Sequence, residues 1–332
     1  MRIFLTGATG YIGAAVVDSL LRGGHDVTAL VRDNEKAARV AARGVHPVVG
    51  NLGDPESYRA SADGQDGYVH TAFDAASGRG PAIDRAALET LIAAGQRPRT
   101  AGSTAPARRF IIYTSGVWVL GRTPDPATKD FPLNPIRHVS WRPDHEELVV
   151  NAGTGHLRTV VVRPGVVYGG GGGMVGHLFK AATNGLVRVV GDGNNHWPLV
   201  YDRDLADLYA RLAAREDAAG MYHANDQGDE RVNDIVAAIA AYLPVRPEVR
   251  HVPFEEARAK MGTFADALSL DQIVRSPRAR AIGWTPTLHS VAGNTARLLE
   301  EWRAAHNHTG PRGSVLHSSP GLSDQATWRE RR

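Results

Sequence analysis

Apolar positions in the first two thirds of the chain fall into two alternating rhythms. Ile3–Thr6, Val27–Val31, Val45–Val49, Gly67–Thr71, Phe110–Thr114 and Thr159–Arg163 are short runs rich in β-branched and aromatic residues. Continuous apolar runs of this length suit strands buried on both faces. Between the first two runs, Ile12, Val16 and Leu20 recur at helical spacing within Tyr11–Arg22, and Gly23-Gly24 supplies a stop. Strand and helix alternating in this way predict an α/β fold, a doubly wound parallel sheet with helices on both faces.

After Arg163 the rhythm breaks. Five consecutive glycines follow Tyr168, and Gly191-Asp-Gly-Asn-Asn195 forms a second turn-rich stretch. Helical patterns at Arg203–Arg215 and Val232–Tyr242 alternate with short extended pieces such as Val249–Val252. The pattern divides the chain into a sheet domain over residues 1–167, with parts of 196–232 returning to it, and a smaller C-terminal substrate-binding or lid region over 168–195 and 233–304. Residues 305–332, rich in Gly, Pro, Ser and His, read as a disordered tail. The glycines at 169–173 are expected to let a lid adapt to its ligand.

Composition narrows the class. Hydrophobic content of 42% and charged content of 22% are those of a globular protein with a sizeable core. No apolar run reaches the ~18 residues of a membrane span. The N-terminus passes straight from Met1-Arg2 into a strand without the layout of a signal peptide, so a cytoplasmic location is expected. The absence of cysteine excludes disulfides and thiolate chemistry. The net charge of +3 is a small excess of 38 basic over 35 acidic residues. Its arginines are scattered, which argues against a nucleic-acid partner. His306-Asn-His308 and His317 sit in the tail, where isolated histidines are usually solvated, and no metal is expected.

The strongest local signal is Gly7-Ala-Thr-Gly10-Tyr-Ile-Gly13, placed after the first strand and at the start of the first helix. Gly7 permits a sharp turn, Gly10 lets backbone approach a pyrophosphate, and Gly13 allows close packing. The free N–H groups at the helix start favour phosphate. With strand, helix and second strand in place, this predicts a Rossmann-type dinucleotide site involving Thr9, Tyr11 and Ile12 with the three glycines. At the end of the second strand an NAD site usually carries an acid for the ribose 2′-hydroxyl. Here Val31-Arg32 stands there, and a guanidinium suits the 2′-phosphate of NADP. Asp33 follows directly, so NAD remains the less favoured coenzyme.

These residues resemble the extended and atypical short-chain dehydrogenase/reductase family, which includes the NAD-dependent epimerase/dehydratases. The resemblance runs through Gly50-Asn-Leu-Gly-Asp54, His70-Thr-Ala72, Tyr113-Thr-Ser-Gly116, Arg163-Pro-Gly-Val-Val-Tyr-Gly169, Val200-Tyr-Asp-Arg-Asp-Leu-Ala206 and Ile282-Gly-Trp-Thr-Pro286. It implies that Asn51 and Leu52 flank the adenine, that Ala72 lies near the phosphates and ribose, and that Pro164-Gly165 turns around the nicotinamide.

The family's proton donor is missing. A serine at the end of the fifth strand normally works with a Tyr-x-x-x-Lys pair on the next helix. Ser115 fits the serine, but no tyrosine lies between Tyr113 and Tyr168 and no lysine between Lys129 and Lys180. Aligning Glu146–Val150 with the downstream part of that helix puts His138 at the tyrosine position and Arg142 at the lysine position. Histidine can donate a proton near neutral pH; arginine can grip ribose hydroxyls but does not titrate. Pro143 suits a first helical turn, so the helix is expected to begin near residue 143 and leave His138 on a loop or surface. Trp141 either packs on a flat ligand or the nicotinamide, or is a core residue at a helix start.

Hydride transfer can survive that loss if the ring and carbonyl are held together and any donor steadies the oxyanion. The family includes reductases of aromatic polyketides, of antibiotic type, without the Tyr-Lys pair. The resemblance therefore implies an NADPH-dependent ketoreductase acting on a small-molecule ketone, bulky or aromatic. Two other readings stand beside it: a sugar-nucleotide epimerase or dehydratase, and a non-catalytic NADP-binding sensor.

Overall fold

The computed structural model describes residues 1–98 and 108–307. Strands β1 (Arg2–Thr6), β2 (Asp26–Val31), β3 (His46–Val49), β4 (Gly67–His70), β5 (Arg109–Thr114), β6 (Leu157–Pro164) and β7 (Gly220–Ala224) form one sheet. Their order is β7-β6-β5-β4-β1-β2-β3 and every pairing is parallel. The α/β reading of the hydrophobic pattern holds. Side chains alternate across the sheet, so Ile3 and Leu5 enter one core and Phe4 the other.

Helices α1 (Tyr11–Arg22), α2 (Asn34–Ala41), α3 (Gly80–Gln96), α4 (Arg142–Asn151), α5 (Gly173–Thr183), α6 (Asp202–Ala214), α7 (Val232–Ala241) and α8 (Thr295–Asn307) complete the frame. α1 and α6 bury Val16, Leu20, Leu205 and Leu208 against one face, whereas α3 and α4 bury Leu88, Leu91 and Val149 against the other. Each fully buried leucine contributes about 1.5–3 kcal/mol relative to exposure. α1 stops at its glycine pair: Gly24 takes φ 72°, its N–H donates to Leu21 O, and the N–H of His25 donates to Leu20 O. This is a Schellman cap that accounts for two of the helix's last carbonyls.

The second body packs Val175, Leu178 and Phe179 of α5 with Ile235 and Ile239 of α7 and Leu298 of α8. Its strands are short pairs: Val166–Tyr168 beside Leu199–Tyr201, and Leu186–Val190 beside Glu248–Val252. The segment around residues 277–284 departs from the expected lid. Trp284 is fully buried in the core under α1 and α6, its Nε1 donates to Asp204 O at 2.7 Å, and Arg278 Nη1 donates to Met221 O at 2.8 Å. The tail boundary also shifts, because α8 continues through His306 to Asn307. The rest of the expected tail, residues 308–332, lies outside the described residues. Among the described residues, no helix is long and apolar enough to cross a membrane.

The two bodies meet at residues 225–230, where Gln227 (φ 67°) and Asp229 (φ 46°) adopt left-handed backbone. Asp226 is buried there, accepting from Tyr168 Oη at 3.1 Å and Gly228 N at 2.9 Å. Burial, with Glu230 nearby, pushes its carboxyl up to about 7.

Candidate coenzyme and substrate site

The carboxyl ends of the parallel strands form a crevice on either side of the switch between β1 and β4, the place where such sheets bind ligands. Gly7 takes φ 87°, and a Cβ on it would lie 2.6 Å from Thr71 Oγ1. A Cβ on Gly13 would sit 2.1 Å from Gly7 O, so both glycines are required for the turn to lie flat on the end of β4. Gly10 differs: a Cβ there meets only Gly7 O, at 3.1 Å, and otherwise points away from the protein. α1 has no side-chain cap and no acid in its first turn. The N–H groups of Tyr11, Ile12 and Gly13 therefore lack helical acceptors and face a surface that a diphosphate fits.

Tyr11 has a second role that the motif does not reveal. Its phenol donates to Gly169 O at 2.8 Å, and its ring fills the space a Cβ on Gly172 would need, 2.7 Å away. The glycines at 169–173 thus do not form the adaptable lid expected of them. A Cβ on Gly169 would strike Asp202 Oδ1 at 2.6 Å and one on Gly173 would strike Val167 O at 2.4 Å. Close packing explains these glycines.

At the end of β2, Arg32 is exposed and makes no hydrogen bond or ion pair among the described residues. Asp33 is committed elsewhere: its Oδ1 caps α2 by accepting from Lys36 N at 2.8 Å, and its Oδ2 pairs with Lys36 Nζ at 2.5 Å. These bonds hold its carboxyl below the usual range. At the end of β3, Asn51 is exposed and its Oδ1 accepts from Gly53 N, while Leu52 is half-buried against the core containing Tyr58.

A cavity of about 860 Å³ opens beyond the glycine turn. Tyr11, Ile12, Ala72, Ser115, His138, Trp141, Arg142, Pro164 and Gly165 all line it, although they come from six separate stretches of the chain. Thr9 and Gly10 instead line an adjoining cleft of about 580 Å³ between α1, α5 and α8. Ser115 Oγ is enclosed in the protein without a hydrogen-bond partner. Gly165 is needed because a Cβ there would lie 2.1 Å from Pro198 O. His138 stands on a 3-10 turn, Arg137–Val139, before α4. Its Nδ1 is 3.1 Å from Thr263 Oγ1, and Trp118 and Phe264 meet its ring edge-on. Burial and the nearby Arg142 lower its pKa, which favours the neutral ring. His196 pairs with Asp271, and Asp202 lines the smaller cleft.

α4 begins at Arg142 with Pro143 in its first turn. It is tied to β6 by a buried bidentate pair, Glu146 accepting from Arg163 Nε at 2.9 Å and Nη2 at 2.6 Å. Trp141 lies flat on Phe73, centroids 5.1 Å apart, and edge-on to His145. Behind this wall lies a buried cluster that sequence reasoning missed. Asp84 accepts from His145 Nδ1 at 2.7 Å, Tyr113 Oη at 3.0 Å and His70 Nε2 at 3.1 Å. The two histidine bonds and the charge of Arg142 overcome burial and hold the carboxyl well below its ordinary range. The available signal was a polar residue in an otherwise apolar strand, His70, since buried polar groups require partners.

The frame and crevice define a class: Rossmann-type α/β proteins with a glycine turn between the first strand and the first helix. Residues 3–224 match the model of the NAD dependent epimerase/dehydratase family, and the chain belongs to that family, among its NAD(P)-dependent oxidoreductases. It is 32% identical over 297 residues to an uncharacterized protein of Schizosaccharomyces pombe, covering 88% of this chain and 96% of that one. It is 27% identical to the 4-hydroxy-2-methyl-3-oxo-4-farnesyl-3,4-dihydroquinoline-1-oxide ketoreductase of Stigmatella aurantiaca, covering 78% of each chain. The human epimerase family protein SDR39U1 (isoform 2), solved with NADPH, superposes with TM-score 0.71 at 21% identity, covering 92% of this chain and all of that one.

Proposed function

We propose that this protein is an NADPH-dependent ketoreductase whose substrate is a bulky, flat ketone of the aromatic polyketide type. The observation that carries the reading is Ser115 Oγ, a hydroxyl without a partner in the wall of the cavity. An enclosed hydroxyl left unpaired costs about 1–3 kcal/mol, which a carbonyl oxygen accepting its proton would recover. When bound, the coenzyme supplies hydride to the carbonyl carbon; with one proton reaching the oxygen, ketone, NADPH and H⁺ become alcohol and NADP⁺. Ser115 and His138 donate hydrogen bonds to the developing oxyanion. Phe73, Trp118, Trp141, Phe264, Met174 and Met261 supply apolar surface for a flat ligand.

The relationship to a ketoreductase supports this reading. Two tyrosine positions weigh against an epimerase: Tyr11 is bonded to Gly169 O and Tyr113 to Asp84, so neither phenol is free to take a proton from a sugar hydroxyl. NADPH is favoured over NADH because Arg32 is available and Asp33 is not.

The test follows NADPH absorbance with a panel of fused-ring aromatic ketones. Turnover is expected with at least one, with kcat reduced ~10–100-fold in Ser115→Ala and little change in KM. Tight NADP binding without consumption by any ketone would instead support a sensor. A sugar nucleotide converted in place of the ketones would support an epimerase.

A further inference from the structure

Arg142 is the sole lysine or arginine among the described residues lining the main cavity. One end of its guanidinium is occupied: Nη1 donates to Thr114 O at 3.0 Å and to Tyr113 Oη at 3.3 Å. The direction of the second bond is fixed, because the single proton of Tyr113 goes to Asp84 Oδ2. The phenol oxygen can therefore only accept from arginine. Asp84 is held in turn by His70 and His145, so Arg142 is anchored through Tyr113 to a rigid buried cluster. The group also lies over an indole, with its central carbon 4.5 Å from the Trp141 ring centroid.

Nε and Nη2 make no hydrogen bond or ion pair among the described residues. Pinned at Nη1 and lying over an indole, the guanidinium keeps one edge with two nearly parallel N–H groups. That geometry matches the two oxygens of a carboxylate. The acid that shares the cavity does not compete for this edge. Asp74 Oδ1 accepts from Ala76 N and Ser77 N in the turn before α3. The aromatic and methionine side chains of the remaining wall suit the body of such a ligand.

We propose that the Nε–Nη2 edge of Arg142 receives a carboxylate, so that the cavity takes an acid with a flat apolar body. Resting on the reductase reading above, the substrate is then an oxo acid, and the product a hydroxy acid with its carboxylate still held. Arg142 binds and orients; it transfers no proton.

Calorimetry on the NADP⁺-loaded protein with 2-naphthoate and 2-naphthamide tests the assignment without turnover. The acid should bind at least ~10-fold more tightly than the amide, the low end for a charge-assisted pair. In Arg142→Gln the preference should fall to within ~2-fold with NADPH affinity nearly unchanged, and Arg142→Lys should retain part of it. Equal binding of both probes to the wild-type protein would overturn the proposal whether or not the variants fold. So would a Gln variant that loses NADPH affinity but keeps the acid preference, since Arg142 would then serve the coenzyme ribose. A wild-type protein that selects 2-naphthoate yet oxidises no NADPH with 3-(2-naphthyl)-3-oxopropanoate leaves the carboxylate site supported and refutes the reductase. Equal reduction of that acid and its ethyl ester has the opposite meaning.

Discussion

Replacing Asp226 with Asn should make the protein more stable above neutral pH, and the size of the effect follows from the burial of one carboxyl. Asp226 is 2% exposed, at the junction of the two bodies, and its desolvation pushes the folded-state pKa up to about 7. In an unfolded chain the same group titrates near ~4. The folded protein therefore keeps a proton that the unfolded chain releases. The associated stability is fully present below pH ~4 and is lost as pH rises through about 7. Three pH units at ~1.4 kcal/mol each set an upper figure of about 4 kcal/mol. Asparagine mimics the protonated acid: its oxygen can accept from Gly228 N, and its amide can donate to Tyr168 Oη. Urea unfolding of both proteins at pH 5, 6, 7 and 8 measures the difference directly, and groups that titrate alike in both, such as Asp202, cancel. The wild-type protein should lose about 2–3 kcal/mol relative to Asp226→Asn between pH 5 and 8, because only the two units from pH 5 to 7 carry the slope. A stability difference that stays flat across this range would refute the reasoning.

Two further substitutions probe the coenzyme site. Arg32→Ala should raise the KM for NADPH about 10-fold or more, the loss of one charge-assisted phosphate contact, and leave that for NADH within ~2-fold; initial-rate kinetics with both coenzymes decide, and equal changes would remove Arg32 from the 2′-phosphate. Gly13→Ala should abolish measurable coenzyme binding in fluorescence titrations, because its Cβ would come 2.1 Å from Gly7 O and force the turn off the end of β4; retained affinity would show that the turn tolerates the shift.

Much of the fold was legible because strands buried on both faces leave continuous apolar runs, and the glycine turn was legible because its spacing is local. The seventh strand was not. Gly220-Met-Tyr-His-Ala224 has no β-branched residue, and it is a strand because β6 offers it an edge. The Asp84 cluster escaped for a different reason. His70, Asp84, Tyr113 and His145 come from four elements, and no local pattern links them before the sheet closes. The glycines at 169–173 misled in a third way. Five glycines in a row suggest mobility, whereas here the missing side chains make room for Tyr11, Tyr201 and Asp202. Among the proposed site residues, Arg142 could be placed from the register of Glu146–Val150. Its anchoring to Tyr113 could not be foreseen, because that bond spans 29 residues of sequence.

The bond from Tyr11 to Gly169 has a mechanical consequence. Tyr11, whose backbone N–H lies in the open first turn of α1 where the proposed coenzyme would seat its pyrophosphate, also clasps, through its phenol, the first glycine of the stretch leading into α5. Swinging the smaller body outward would tug at that seat, and an occupied seat should stiffen the swing. The first turn of α1 and the glycine stretch leading into α5 are thus tied together through a single aromatic ring.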